Sequence, residues 1–193
     1  MSGEMRVAEG STAKVGVVAG ALIVAQDATV LAEAGVKITV NGPVECKGDC
    51  TFECTVEAYR FEGRGGHHHH HGAIIIRVPG DLTVKDRREV EDGALEVAGS
   101  VNAKTIDVDR ELKAGKGLAA EDVDVGGSLE VEGLSKAGKI DVGGAYTARG
   151  PVDAEEIDVG GSFRAEAAVK LTAIDVGGTV SIGGGEVTGR IGV

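Results

Sequence analysis

The chain has 193 residues, of which 32 are glycine, 3 proline, 3 phenylalanine, 2 tyrosine and none tryptophan. That inventory excludes collagen, an aromatic-centred sandwich and a helical bundle, while a hydrophobic fraction of 42% excludes a disordered chain. The balance of 31 acidic against 20 basic side chains, a net charge of -11, argues against nucleic acid or anionic membrane as a partner.

Residues 1–14 read as an N-terminal leader without the basic-then-apolar layout of a secretory signal. No apolar run reaches the length of a membrane helix, so a cytoplasmic protein is expected, and nothing in the sequence indicates membrane association. The only amides are Gln26, Asn41 and Asn102, a scarcity found in thermophilic proteins.

Residues 15–62 alternate apolar and polar positions in short runs, the strand period. Leu22 with Val24, Ile38 with Val40 and Cys54 with Val56 recur at one even spacing, from position 22 to 38 to 54, which predicts coils of that length (period 16). Cys46, Cys50 and Cys54, an odd number spaced by four, give neither a disulfide framework nor a CxxC metal motif. All three fall on inward positions of that register, so they are expected in the core, with metal binding as the alternative.

Residues 63–73 form a Gly/His-rich segment that interrupts the strand pattern. His67, His68, His69, His70 and His71 could hold a transition metal as neutral imidazoles, or could be an inserted affinity tag. On either reading the segment is an excursion between coils, and no metal or other cofactor is expected.

From position 74 to 193 the repeat is strict. The triplet Ile106-Asp107-Val108 returns as Val123-Asp124-Val125, Ile140-Asp141-Val142, Ile157-Asp158-Val159 and Ile174-Asp175-Val176. Its first member falls at 106, 123, 140, 157 and 174 (period 17), and a degenerate copy stands in phase at Ile191-Gly192-Val193. Leu95, Leu112, Leu129, Tyr146, Phe163 and Val180 make a second column, Val101, Leu118, Ser135, Val152 and Val169 a third. Three apolar pairs per repeat predict three short strands per coil. Pairs such as Gly126-Gly127 turn one corner, where positive φ would suit glycine. Earlier, Leu82 and Val84 match the column of Leu95 and Val97, at a shorter offset than the repeat. The predicted fold is an all-β, right-handed parallel β-helix, a triangular solenoid of about ten coils and on the order of 50 Å long.

Asp107, Asp124, Asp141, Asp158 and Asp175 lie between inward residues and should form one outward column. At about 5 Å, each like-charged pair costs roughly 0.8 kcal/mol in water before screening. The column is read as solvated side chains serving their own corners, with a cation-binding stripe or a docking strip for a basic partner as alternatives. Five equivalent carboxylates supply no distinct acid and base, and no P-loop or GxSxG motif is present, so no catalytic residue and no enzyme is expected.

Two apolar segments suggest assembly. Val180, Ile182, Ile191 and Val193 at one end, and Val15 with Val17 at the other, continue the core pattern without a blunting helix or proline. Unblunted strand edges predict pairing with a second copy. The run Val123-Asp124-Val125-Gly126-Gly127-Ser128-Leu129-Glu130-Val131 resembles the repeats of bactofilins and their archaeal relatives, over about residues 74–193. The resemblance implies a right-handed triangular β-helix that polymerises end to end, without nucleotide, into nonpolar cytoskeletal filaments that can localise a client protein. A scaffold module that binds one partner without polymerising is the alternative.

Overall fold

A computed structural model describes residues 3–64, 74–91 and 93–183, together with the backbone of Val187–Gly192. Every strand pairing is parallel, and the described residues contain no helix. The chain winds into a solenoid in which each coil contributes one rung to each of three faces. One face, C, is a separate sheet of 10 strands, from Thr12–Val15 to Thr179–Ile182. The other two faces belong to one bent sheet of 14 strands. Face A runs from Val17–Val18 through Leu82–Val84, and face B from Met5–Val7 through Arg87–Val90. The expected all-β, ten-coil solenoid is what forms.

Alternation decides which side chains enter the core. Strand Ser162–Ala165 buries Phe163 and Ala165, and Leu22–Val24 buries Leu22 and Val24. The columns read from the strict repeat are true ladders: Leu95 pairs with Leu112, Leu129 with Tyr146, and Tyr146 with Phe163. Phe163 and Tyr146 also pack ring to ring, with centroids 5.1 Å apart. A continuous apolar core therefore runs along the axis, and each coil is stabilised chiefly by its two neighbours.

Four expectations need correction. Faces A and B are not separate strands in the regular coils, because Leu118–Val125, Ser135–Val142, Val152–Val159 and Val169–Val176 each cover both. At the bend, the Glu121 amide still donates to the Lys104 carbonyl at 2.9 Å, so the ladder is not interrupted there. The residues expected as a leader also include strands: Met5–Val7 pairs with Leu22–Val24, and Thr12–Val15 with Ala28–Ala32.

The even register of the N-terminal coils is the third. Leu22 pairs with Val44 rather than Ile38, Ile38 with Val56 rather than Cys54, and Ala28 with Cys50 rather than Val44. Every one of these steps is longer than the expected period. Strict alternation matches itself at any even shift, which made the shorter period attractive. The longest steps contain an enlarged corner after Ala32, where Gly35 takes a φ of 81° and donates to the Ala32 carbonyl. Leu82 likewise pairs with Val56 and Val101 on face A, outside the Leu95 column.

Candidate functional site

The most ordered surface feature is the outward column of face B. Asp107, Asp124, Asp141, Asp158 and Asp175 stand opposite one another in sequence, rung by rung. The same column continues backwards through Glu89, Glu62 and Glu45, giving eight consecutive acidic rungs. Beyond Glu45 come Ile23 and then Arg6. Like charges directly opposite destabilise a sheet, and neighbouring rungs lie about 4.8 Å apart.

The other two faces are built differently. Face C carries Arg77, Glu96, Lys113 and Glu130 on successive rungs, with Arg77 Nε 3.2 Å from Glu96 Oε2. Face A alternates Lys136, Asp153 and Lys170. Alternating signs are the pattern that cross-strand pairing favours. Only face B, among the described rungs, holds one sign for so long.

The electrostatic consequences are local. Partial burial, then Asp107, Asp141 and Asp109, push the Asp124 carboxyl above its ordinary range, and Lys139 offsets part of this. Glu89 is raised by burial and by a hydrogen bond with Glu91, with Arg87 opposing. Arg87 supplies the main relief at that end, its Nη2 lying 3.3 Å from Asp107 Oδ2 and 3.5 Å from Glu89 Oε2. Asp122, beside the column, has Lys139 directly opposite.

Next to the acidic column runs a trough of bare backbone at the Gly-Gly corners. A Cβ at Gly143 would overlap the Gly126 carbonyl oxygen, and one at Gly160 the Gly143 oxygen. Each amide bonds to the coil before it, as Gly143 N does to Val125 O at 2.9 Å. Their φ values are not positive, so the expected reason for glycine is overturned. Close stacking of backbones from adjacent coils excludes a side chain there.

At the far edge of face C, Arg149 joins three carboxylates from the coils on either side of its own. It reaches Glu130 Oε1 at 3.2 Å, Glu132 Oε1 at 3.1 Å and Glu166 Oε2 at 2.7 Å. The three acids hold its guanidinium above its ordinary range, Glu130 foremost. This is an exposed tie between coils, screened by solvent.

The cysteines lie where the inward reading put them. Cys46, Cys50 and Cys54 are free thiols in the core, and burial pushes the Cys46 thiol well up and Cys54 up. Cys50 Sγ contacts the Val24 carbonyl at 3.7 Å. Among the described residues no group of three or more histidine, cysteine or acidic side chains could hold a metal ion. His67, His68, His69, His70 and His71 fall outside the described residues.

Two kinds of buried polarity escaped the sequence reading. Arg88 is wholly buried on an inward position of face B, between Phe61 and Ile106, and none of its three nitrogens has a hydrogen-bond partner. Its desolvation lowers the guanidinium to about 9. Further on, the buried hydroxyls of Ser135 and Tyr146 both lack a hydrogen-bond partner of good geometry. Burial drives the Tyr146 phenol well up, and the facing Ser135 hydroxyl offsets part of that.

The residues expected at an assembly junction are distributed unevenly. Val15 is fully buried, and Val17 points outward with 75% of its surface exposed. Val180 and Ile182 are inward but only partly covered, whereas Phe163 and Ala165 on the preceding rung are 1% exposed. Ile191 is held in register with Ile174 through its backbone, and Val193 lies outside the described residues.

Compared with known proteins, the chain matches no family, no curated protein and no solved structure. No helix among the described residues is long and apolar enough to cross a membrane.

Proposed function

We propose that the chain is a structural, non-enzymatic protein that assembles end to end into nucleotide-independent filaments of the bactofilin kind. The observation that carries this reading is the partly uncovered pair Val180 and Ile182, on a strand with one paired edge among the described strands. Stacking a second copy there continues the three columns and removes apolar surface from water. At the opposite end Thr12–Val15 is the corresponding edge of the same sheet. Because the Val15 side chain is already covered, its part in a junction is through the strand backbone. Three unpaired core thiols suit a reducing, cytoplasmic setting.

Sedimentation velocity over a wide concentration range tests the reading. Growing species without nucleotide, abolished by Val180→Lys with Ile182→Lys, are expected. A single monomer at every concentration overturns it.

The acidic column favours a second reading, in which the solenoid is a scaffold that docks a basic protein along face B without polymerising. That reading requires a one-to-one complex weakened by salt, and no homopolymer.

A further inference from the structure

Arg88 is the largest anomaly in the core. The other positions of its column, from Met5 to Ile174, are filled by Met, Leu, Val, Phe or Ile, as at Leu22, Val44, Phe61, Ile106 and Val123. A guanidinium held there without an acceptor loses its hydration and gains nothing in exchange.

The same coil is held by two short strands, Leu82–Val84 and Arg87–Val90, rather than by one continuous strand. On face A, Leu82–Val84 meets the next coil through two pairs, Leu82 with Val101 and Thr83 with Asn102. On face B, Arg87–Val90 pairs with the preceding coil over three positions, Arg88 to Val90, and with the next coil over four. Over both faces each side therefore has six pairs split between two strands, where the regular coils pair over six or seven positions of one continuous strand. On the outer surface, Glu89 stands between Glu62 and Asp107, so the rung also carries like-charge repulsion.

From the buried unpartnered guanidinium, on a coil held by two short strands in place of one continuous one, we infer that residues 82–90 are the opening point of the solenoid, a coil that comes away from its neighbours as a unit and brings Arg88 to water while the stacks on both sides stay closed. In a nearest-neighbour solenoid the weakest coil opens first, and opening there separates two blocks that each keep their own core. Breathing at this coil lets the long stack bend or part at one defined place.

Hydrogen exchange of the whole protein, followed peptide by peptide, tests the inference. Amides of residues 82–90 are expected to exchange at least about tenfold faster than those of 118–142, and Arg88→Met should bring them to the rate of their neighbours. Brief trypsin treatment of the native protein gives a second readout, because Arg87 remains a cleavage site in the variant. Cleavage there is expected first in the wild type and is expected to be slowed at least about tenfold by Arg88→Met or Arg88→Leu. Equal exchange across the coils, or cleavage and exchange unchanged by both substitutions, overturns the inference.

Discussion

Asp124 and Asp141 stand directly opposite each other on adjacent coils, and Asp107 faces Asp124 from the other side. Asp124 therefore sits in the middle of a run of carboxylates, partly desolvated, with a carboxyl shifted upward. Because its folded state holds the proton more tightly than the unfolded chain does, this group lowers stability at neutral pH. The loss is recovered as pH falls through the carboxylate range.

Asp124→Asn is expected to stabilise the protein by about 0.3–0.5 kcal/mol at neutral pH and low salt, the modest value reflecting solvent screening. The gain should shrink as the pH is lowered and as salt is added. Urea melts of both proteins at two pH values check it, and a destabilised variant at neutral pH would show that the carboxylate has a partner worth keeping.

The corner glycines give a steric prediction. Gly143→Ala puts a methyl group against the Gly126 carbonyl oxygen, and the stacked backbones must part to admit it. A cost of about 1–3 kcal/mol is expected. Gly183→Ala is the control, since its Cβ would meet nothing closer than the Ala165 oxygen at 3.7 Å. That substitution should change stability by less than about 0.5 kcal/mol. Equal effects of the two in thermal melts would contradict the stacking argument.

Ser135 and Tyr146 are coupled in the core. Ser135 occupies a column otherwise filled by Leu118, Val152 and their equivalents, and its hydroxyl faces the Tyr146 phenol. Ser135→Val should cost about 1–3 kcal/mol while Tyr146 is present. Tyr146→Phe, which deletes a hydroxyl without a hydrogen-bond partner, should be neutral or slightly stabilising. In the double variant the valine should cost at least about 1 kcal/mol less than it does alone, a coupling read from a double-mutant cycle of denaturant melts.

The regular half of the fold was legible because positions 95 to 182 repeat at one spacing, so Leu112, Leu129 and Phe163 announce their own ladder. Asp107 to Asp175 were visible for the same reason. Glu45, Glu62 and Glu89 belong to the same column but were missed, since the steps from Glu62 to Glu89 and from Glu89 to Asp107 are both longer than the strict repeat. The triplets Val44-Glu45-Cys46 and Phe61-Glu62-Gly63 did carry a signal, an acid between two inward residues. At Arg88-Glu89-Val90 that signal fails, because no pattern rule places an arginine inward. The corner glycines were found by position, yet their cause needed coordinates: conformational freedom and close backbone approach leave the same residue in the sequence.

The central claim is assembly through the solenoid ends, and negative-stain electron microscopy of the purified protein without nucleotide meets it most directly. Thin unbranched filaments are expected, lost on substituting Val180 and Ile182 by lysine while the circular dichroism of the strands is kept. Isolated short rods in the unsubstituted protein at high concentration, indistinguishable from those of the lysine variant, would contradict it.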